Sequence, residues 1–363
     1  KIIGITGSCG KTSLKELIGK SLNKICNATY SPKSFNNKYG VPLSLFNLKK
    51  NDDFGVFEVA MDKKGEINSL SKIIKPDVGV ITNISYAHIK NFKNIKEIAL
   101  AKSEIIQNIK VDGYFIVNAD DYFYNFHKKI ALKRKLNILS FSIKNTNSNV
   151  YLKFIKKEKY KYKIFININN INKYFYLNTY YENDIKNLLA AIAIISIFKD
   201  VEKLDSNIFY GNHALEGRGD VSKIKLFKKN FYLIDQSYNS NPLSMNSALK
   251  NFDMIKVNPE KKHLILGDML ELGKHSKKLH AEVAKIINKT SIKNVSVIGK
   301  HMRHSYSIFH NDKKGSILKN NSKIISLIKN TINNNDYLMI KGSNSTGLNK
   351  LTSDIKTGKI NVL

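Results

Sequence analysis

Thr6-Gly7-Ser8-Cys9-Gly10-Lys11-Thr12 follows the apolar run that begins at Ile2 and precedes a segment that sets Leu14, Leu17, Ile18 and Leu22 on one helical face. Strand, glycine loop and amphipathic helix, in that order, predict a phosphate-binding loop. Glycines let backbone N–H groups curl around phosphate oxygens, and a helix N-terminus favours negative charge. Lys11 would reach the outer phosphates, and the Thr12 hydroxyl suits Mg2+. The nucleotide-contacting set read from this stretch is Gly7, Ser8, Cys9, Gly10, Lys11, Thr12 and Ser13. The strict pattern has a glycine where Ile5 stands, so this is a variant with the closer spacing Gly-x-x-Gly-Lys-Thr. Alone, the loop does not choose between kinases, GTPases, motors and ligases.

Outward from the loop, short apolar runs alternate with helical patterns, the mark of a parallel sheet covered by helices. Residues 54–60, 78–84 and 114–117 read as buried strands, and residues 94–109 as an amphipathic helix. From about Asn149 to Leu177, aromatic and Ile-rich segments broken by Asn-Asn and Lys-rich turns predict a small antiparallel meander. Residues 187–198 form an almost uniformly apolar helix. Further strand candidates lie at 231–235, 263–267, 295–299 and 337–341, separated by helical patterns. The expected fold is α/β. A P-loop-containing, mostly parallel central domain with a small β meander covers 1–215, and a doubly wound Rossmann-like domain covers 216–363.

Length and composition bound the function classes. A chain of 363 residues, 42% hydrophobic and 25% charged, fits an ordinary two-domain globular protein. No run of eighteen or more apolar residues occurs, so stable membrane insertion is not expected. Two cysteines, Cys9 and Cys26, argue against a disulfide framework and fit a reducing cytoplasm. Sixty Lys plus Arg against 29 acids give a net charge of +31. The lysines are spread evenly among many Asn and Ile, which reads as a composition bias rather than a nucleic-acid surface.

Lys102 stands out on first principles. On a helix of 3.6 residues per turn it falls among Ile95, Ile98, Ile105, Ile106 and Ile109, in the middle of the apolar face. An ammonium there must be paired, neutralised or snorkelling.

Several segments resemble the Mur ligases, in chain order and over essentially the whole sequence. Ser34-Phe35-Asn36-Asn37-Lys38-Tyr39-Gly40-Val41-Pro42-Leu43 is similar to the family's substrate loop, in the form found in members that add D-alanyl-D-alanine. Phe57-Glu58-Val59-Ala60-Met61 resembles the strand ending in a metal-binding glutamate, and Ala87-His88 the loop with a metal-binding histidine. Ala101-Lys102-Ser103-Glu104-Ile105 resembles the helix with a carbamylated lysine. The segments 234–242 and 267–273, with Lys341-Gly342-Ser343, are similar to three C-terminal signatures.

The resemblance implies an ATP- and Mg2+-dependent peptide ligase acting through an acyl phosphate on UDP-N-acetylmuramoyl-tripeptide and D-alanyl-D-alanine. It implies metal ligation by Thr12, Glu58, His88 and carbamylated Lys102. Catalytic roles fall to Lys11, Lys102, His88 and Arg218, and nucleotide contacts to Asn187, Arg218 and Asp235. Substrate contacts fall to Asn36, Asn37, Asn239 and Asn241. The partners are small molecules, with no nucleic acid, and the expected state is a cytoplasmic monomer. Three features depart from the pattern: the pair Asn183-Asp184, Gln236 and Asn344. The family's N-terminal domain would precede Lys1, and the expectation is that this chain is a fragment. Two alternatives remain: another ligase of the superfamily, such as a folylpolyglutamate synthetase, and a non-catalytic basic nucleic-acid-binding protein on the same fold.

Overall fold

The computed structural model describes residues 1–360, which form two compact units: Lys1–Ser85 with Asn91–His213, and Tyr86–Lys90 with the chain from Ala214 onward.

In the first unit the elements are β1 (Ile2–Thr6), α1 (Lys11–Leu22), β2 (Ala28–Tyr30), α2 (Gly40–Phe46), β3 (Phe54–Glu58), α3 (Glu66–Ile74), β4 (Val78–Ile81), α4 (Ile95–Gln107), β5 (Tyr114–Asn118), α5 (Tyr124–Lys133), β6 (Asn137–Ser142), β7 (Val150–Lys157), β8 (Tyr162–Ile168), β9 (Ile171–Leu177) and α6 (Glu182–Ile195). One nine-stranded sheet runs in the order β2-β3-β1-β4-β5-β6-β7-β8-β9. The pairs from β2 through β6 and on to β7 are parallel, and β7, β8 and β9 are antiparallel. The meander read from the sequence is therefore a continuation of the main sheet, joined through β7. Strand β1 lies between β3 and β4, so both its edges are paired within the chain. The apolar helix α6 starts five residues earlier than expected. From Leu188 to Ile195 every residue is buried, and the helix packs against α1 and β6.

The second unit contains β10 (Asp220–Leu226), β11 (Lys229–Gln236), α7 (Pro242–Asp253), β12 (Lys262–Leu266), α8 (Ser276–Ile287), β13 (Val295–Ile298), α9 (Lys300–Tyr306), β14 (Lys314–Leu318), α10 (Asn321–Thr331), β15 (Tyr337–Lys341) and α11 (Leu348–Thr357). Its sheet has the order β10-β11-β15-β12-β13-β14, parallel except for the β10–β11 hairpin. Two polar ties hold it. Lys356 Nζ lies 2.6 Å from both Asp220 and Asp235, and His263 Nε2 lies 3.1 Å from Asp336. Among the described residues no helix is long and apolar enough to cross a membrane.

Helix α5 is tied to α4 by buried His127, whose Nε2 is 3.1 Å from the Ala99 carbonyl. Burial pulls its imidazole from the ordinary 6.5 down to about 4; the Ala99 carbonyl opposes this shift and the charge of Lys102 adds to it. With the folded value depressed, the unfolded chain binds the proton more readily between pH 6.5 and 4. The stability that neutral His127 contributes above pH 6.5 is therefore lost as pH falls through that window. Urea unfolding of the first unit should weaken by about 2–3 kcal/mol between pH 7 and pH 4.5, and His127→Leu should flatten that slope.

Candidate active site

The phosphate loop is shaped by two left-handed glycines and clamped by the segment after β4. Gly7 has φ +145° and Gly10 φ +81°. A Cβ on Gly7 would lie 1.9 Å from Thr82 Oγ1, so only glycine fits. Thr82 Oγ1 and Asn83 Nδ2 donate to the Cys9 carbonyl at 2.7 and 3.0 Å, and the Cys9 amide donates to Asn83 Oδ1 at 3.0 Å. Ser8 Oγ accepts from the Ser85 amide at 2.8 Å and donates to the Ser85 carbonyl at 3.2 Å. No side chain caps α1 at Gly10, which leaves the helix start facing the loop. Asn187, at the second turn of α6, has its Oδ1 3.3 Å from where a Gly10 Cβ would stand. The structure thus brings Asn187 to the phosphate loop.

Next to this loop a single buried carboxylate gathers three elements. Glu58 ends β3 and is 1% exposed. Its Oε2 accepts from Thr12 Oγ1 at 2.7 Å, its Oε1 accepts from Asn36 Nδ2 at 2.7 Å, and Lys11 Nζ lies 4.0 Å from Oε1. Asn36 and Asn37, read together from the sequence, have different jobs. Asn36 faces Glu58, while Asn37 Oδ1 accepts from the Tyr39 and Gly40 amides at 3.1 and 2.9 Å and closes the turn into α2. A Cβ on Gly40 would press to 2.7 Å on the backbone of Phe35, which explains glycine in that loop.

Lys102 lies where the periodicity puts it. It is 2% exposed on the buried face of α4 with Ile98, Ile105 and Ile106. Burial first, then the charge of Lys11, holds its ammonium well below the usual lysine range, with Cys9 and Glu58 opposing. Its electrostatic neighbours are thus the phosphate loop and the Glu58 carboxylate.

Of the candidates further along, His88 groups with the second unit. Its backbone is left-handed (φ +57°), and its Nδ1 lies 2.5 Å from Glu271 Oε2. The Lys90 amide also donates to the Glu271 carbonyl at 3.0 Å. The hydrogen bond from His88 holds the Glu271 carboxyl below its usual range. Glu271 is the partner that sequence reasoning missed, because nothing in its local pattern points to a residue so distant in the chain. The guanidinium of Arg218 sits 4.1 Å from the centre of the Tyr238 ring. Asn239 gives its carbonyl to Lys341 Nζ at 3.0 Å.

Two of the expected ligand residues have partners inside the second unit. Asp235 is 1% exposed, and both carboxylate oxygens are taken inside its own unit. Oδ1 accepts from the Ser237 amide and hydroxyl, and Oδ2 from Lys356 Nζ at 2.6 Å. The carboxylate is thus engaged within its own unit. Asn241 caps α7: its Oδ1 accepts from the Ser244 amide at 3.0 Å, and Ser244 Oγ accepts from the Asn241 amide at 3.0 Å. This reciprocal pair is a capping box, which engages the Asn241 side-chain oxygen.

Comparison with known proteins points the same way as this arrangement. Residues 5–195 match the Mur ligase middle domain and residues 222–344 the Mur ligase, glutamate ligase domain. The chain is 33% identical to the UDP-N-acetylmuramoyl-tripeptide–D-alanyl-D-alanine ligase of Buchnera aphidicola, covering 98% of this chain and 76% of that protein. It is 29% identical to the enzyme of the same name from Rickettsia prowazekii, covering 97% and 77%. The crystal structure of MurF from Acinetobacter baumannii superposes with a TM-score of 0.86 at 25% identity, covering 98% of this chain and 76% of that one.

Two substitutions test the geometry. Gly7→Ala should weaken nucleotide affinity by more than about tenfold in titration calorimetry, since the loop can close only by moving Thr82. Asn241→Ala should lower the melting stability of the second unit by about 1 kcal/mol while leaving the KM of the amine substrate unchanged.

Proposed function

We propose, on the premise that the chain belongs to the Mur ligase family, that it joins D-alanyl-D-alanine to UDP-N-acetylmuramoyl-tripeptide with ATP. The observation that carries this reading is the convergence of phosphate-loop Thr12 and substrate-loop Asn36 on one buried carboxylate, Glu58. Thr12 follows the phosphate loop and Asn36 lies in the loop similar to the family's substrate loop, which supports a reading in which nucleotide and acid meet beside that carboxylate.

The chemistry balances in two steps. A carboxylate oxygen of the tripeptide attacks the γ-phosphorus, the bond to ADP breaks, and an acyl phosphate forms. The amine of the dipeptide then attacks the acyl carbon, loses its proton, and phosphate departs with the former carboxylate oxygen. Lys11 balances charge on the transferring group, the phosphate-loop amides orient the chain of phosphates, and Asn36 places the loop that receives the acid. Catalysis of this kind is positioning and charge stabilisation.

The donor set also fits a hard cation, because a buried carboxylate and a hydroxyl converge within hydrogen-bonding distance. Mg2+ would be held by Glu58 and Thr12 and would supply neutralisation of phosphate charge. His88, whose Nδ1 is fixed by Glu271, is a further ligand candidate through Nε2, since such carboxylates commonly orient ligating histidines. Lys102 reads as a carbamate site on its placement: a lysine buried among isoleucines and electrostatically coupled to Lys11 and Glu58 gains by exchanging a cation for an anion suited to Mg2+. Arg218 and Asn187 are retained as nucleotide contacts. Small molecules are the partners, and the working state is a cytoplasmic monomer.

Phosphate release from ATP, measured with Mg2+ and bicarbonate, should require both the UDP-tripeptide and D-alanyl-D-alanine. Lys102→Met should keep the fold and lose at least about a hundredfold in kcat. Turnover with a different acid and amine, but not with this pair, would leave the family intact and refute the substrate assignment.

A further inference from the structure

Lys15 is fully buried, at 0% exposure, one turn beyond the Lys11–Thr12 pair on α1. A lysine in such a place needs acceptors for its three N–H groups, and the structure supplies three. Its Nζ donates to the Ser31 carbonyl at 2.5 Å and the Lys33 carbonyl at 2.6 Å, and lies 2.9 Å from Glu16 Oε1. Both carbonyls belong to the segment between β2 and the loop bearing Asn36.

The two carbonyls differ in what they hold. Ser31 is bound to β3: its amide donates to the Val56 carbonyl at 3.0 Å, and its Oγ accepts from the Glu58 amide at 3.3 Å. Lys33 is a left-handed non-glycine residue, φ +46°, where the chain turns toward Ser34 and Asn36. A long side chain adopts that conformation only when its surroundings impose it. Beyond the turn, Ser34 Oγ lies 3.4 Å from Thr12 Oγ1, the Ala60 amide donates to the Asn36 carbonyl at 2.9 Å, and Asn36 Nδ2 reaches Glu58. One ammonium thus ties together the phosphate helix, the strand that ends in Glu58 and the strained turn that aims Asn36.

We propose that Lys15 is a positioning residue for the ligase reaction. It holds the Lys33 turn so that the 34–40 loop presents Asn36 to Glu58 and the acid substrate to the phosphate loop. Lys15 itself touches neither substrate. The proposal rests on the function argued above in taking 34–40 as the acid-binding loop.

The test compares the parent protein with Lys15→Met, Lys15→Gln and the double variant Lys15→Met/Lys33→Gly. Three quantities are read: ADP affinity by calorimetry, the kcat and acid-substrate KM for phosphate release, and amide hydrogen exchange over residues 31–41. For Lys15→Met the expected result is ADP affinity within about threefold of the parent, an acid-substrate KM raised and a kcat lowered by about tenfold or more each, and faster exchange over 31–41. Lys15→Gln, which keeps one donor, should fall between. Adding Lys33→Gly should restore about threefold or more of the lost kcat, because glycine takes a positive φ without strain. The proposal is overturned if ADP affinity falls in step with kcat, if exchange over 31–41 is unchanged, or if Lys33→Gly restores nothing. Should Lys15→Met fail to fold, an active and unperturbed Lys15→Gln overturns it equally. A parent protein that does not turn over the acid and amine refutes the function reading instead, and the exchange comparison still judges Lys15.

Discussion

The buried carboxylate of Glu58 is the constraint around which the first unit is organised. A carboxylate removed from water is costly unless its oxygens are hydrogen-bonded, and here Thr12 and Asn36 supply the partners. That requirement fixes the neighbouring strands. β3 must lie beside β1 so that its carboxyl end meets the helix start that follows β1, and the register pairs Ile5 with Glu58. In parallel sheets ligands collect at the carboxyl ends of the strands, and here the phosphate loop, Glu58 and the segment 82–85 all follow such ends. The loop that follows Ser34 is then held with Asn36 on Glu58 and Asn37 turned away to build α2.

Lysine is the default surface residue of this chain, which makes the buried lysines informative. Lys15, Lys262 and Lys341 each donate from the interior to backbone carbonyls: Ser31 and Lys33, Asp253, and Asn239. The ammonium serves carbonyls of irregular chain at Ser31, Lys33 and Asn239 and one at the C-terminal end of α7 at Asp253, which would otherwise lose hydration on burial. Lys102 is of another kind. Its surroundings are isoleucines on its own helix face, and its electrostatic neighbours are the phosphate loop and Glu58. The contrast separates lysines that secure backbone from the one whose amine is held in an environment unsuited to a cation. The net charge of +31 is therefore compatible with a small-molecule enzyme, because the residues that matter to the site are the few taken out of water.

The second unit shows how polar residues can be conscripted for structure. Buried Asp235 joins the half-buried Asp220 and Lys356 in a charge triad, and His263 pairs with Asp336. Removing one member of such a group would leave an uncompensated charge, so these contacts constrain the unit strongly even where their net contribution to stability is small. Asn241 caps a helix whose first residue is Pro242, a position where a missing N–H costs nothing. These uses of Asp235 and Asn241 differ from the ligand contacts that motif resemblance implied.

Local signals carry much of this protein's architecture. The phosphate loop, the strands from Ile2, Phe54, Val78 and Tyr114, the apolar α6 and the burial of Lys102 were legible because periodicity and glycine placement are properties of short segments. Short strands such as β2, β10 and β14 were not legible, since three to seven residues of mixed polarity carry no clear period. The joining of the meander to the main sheet was equally hidden, because strand pairing is decided between segments. So were the partners: Glu271 for His88, Lys356 for Asp235, and the Ser31 and Lys33 carbonyls for Lys15. Residue type states what a side chain can bond to, but only the tertiary structure decides which acceptor stands within reach. Backbone carbonyls in particular leave no trace in the sequence, since every residue has one.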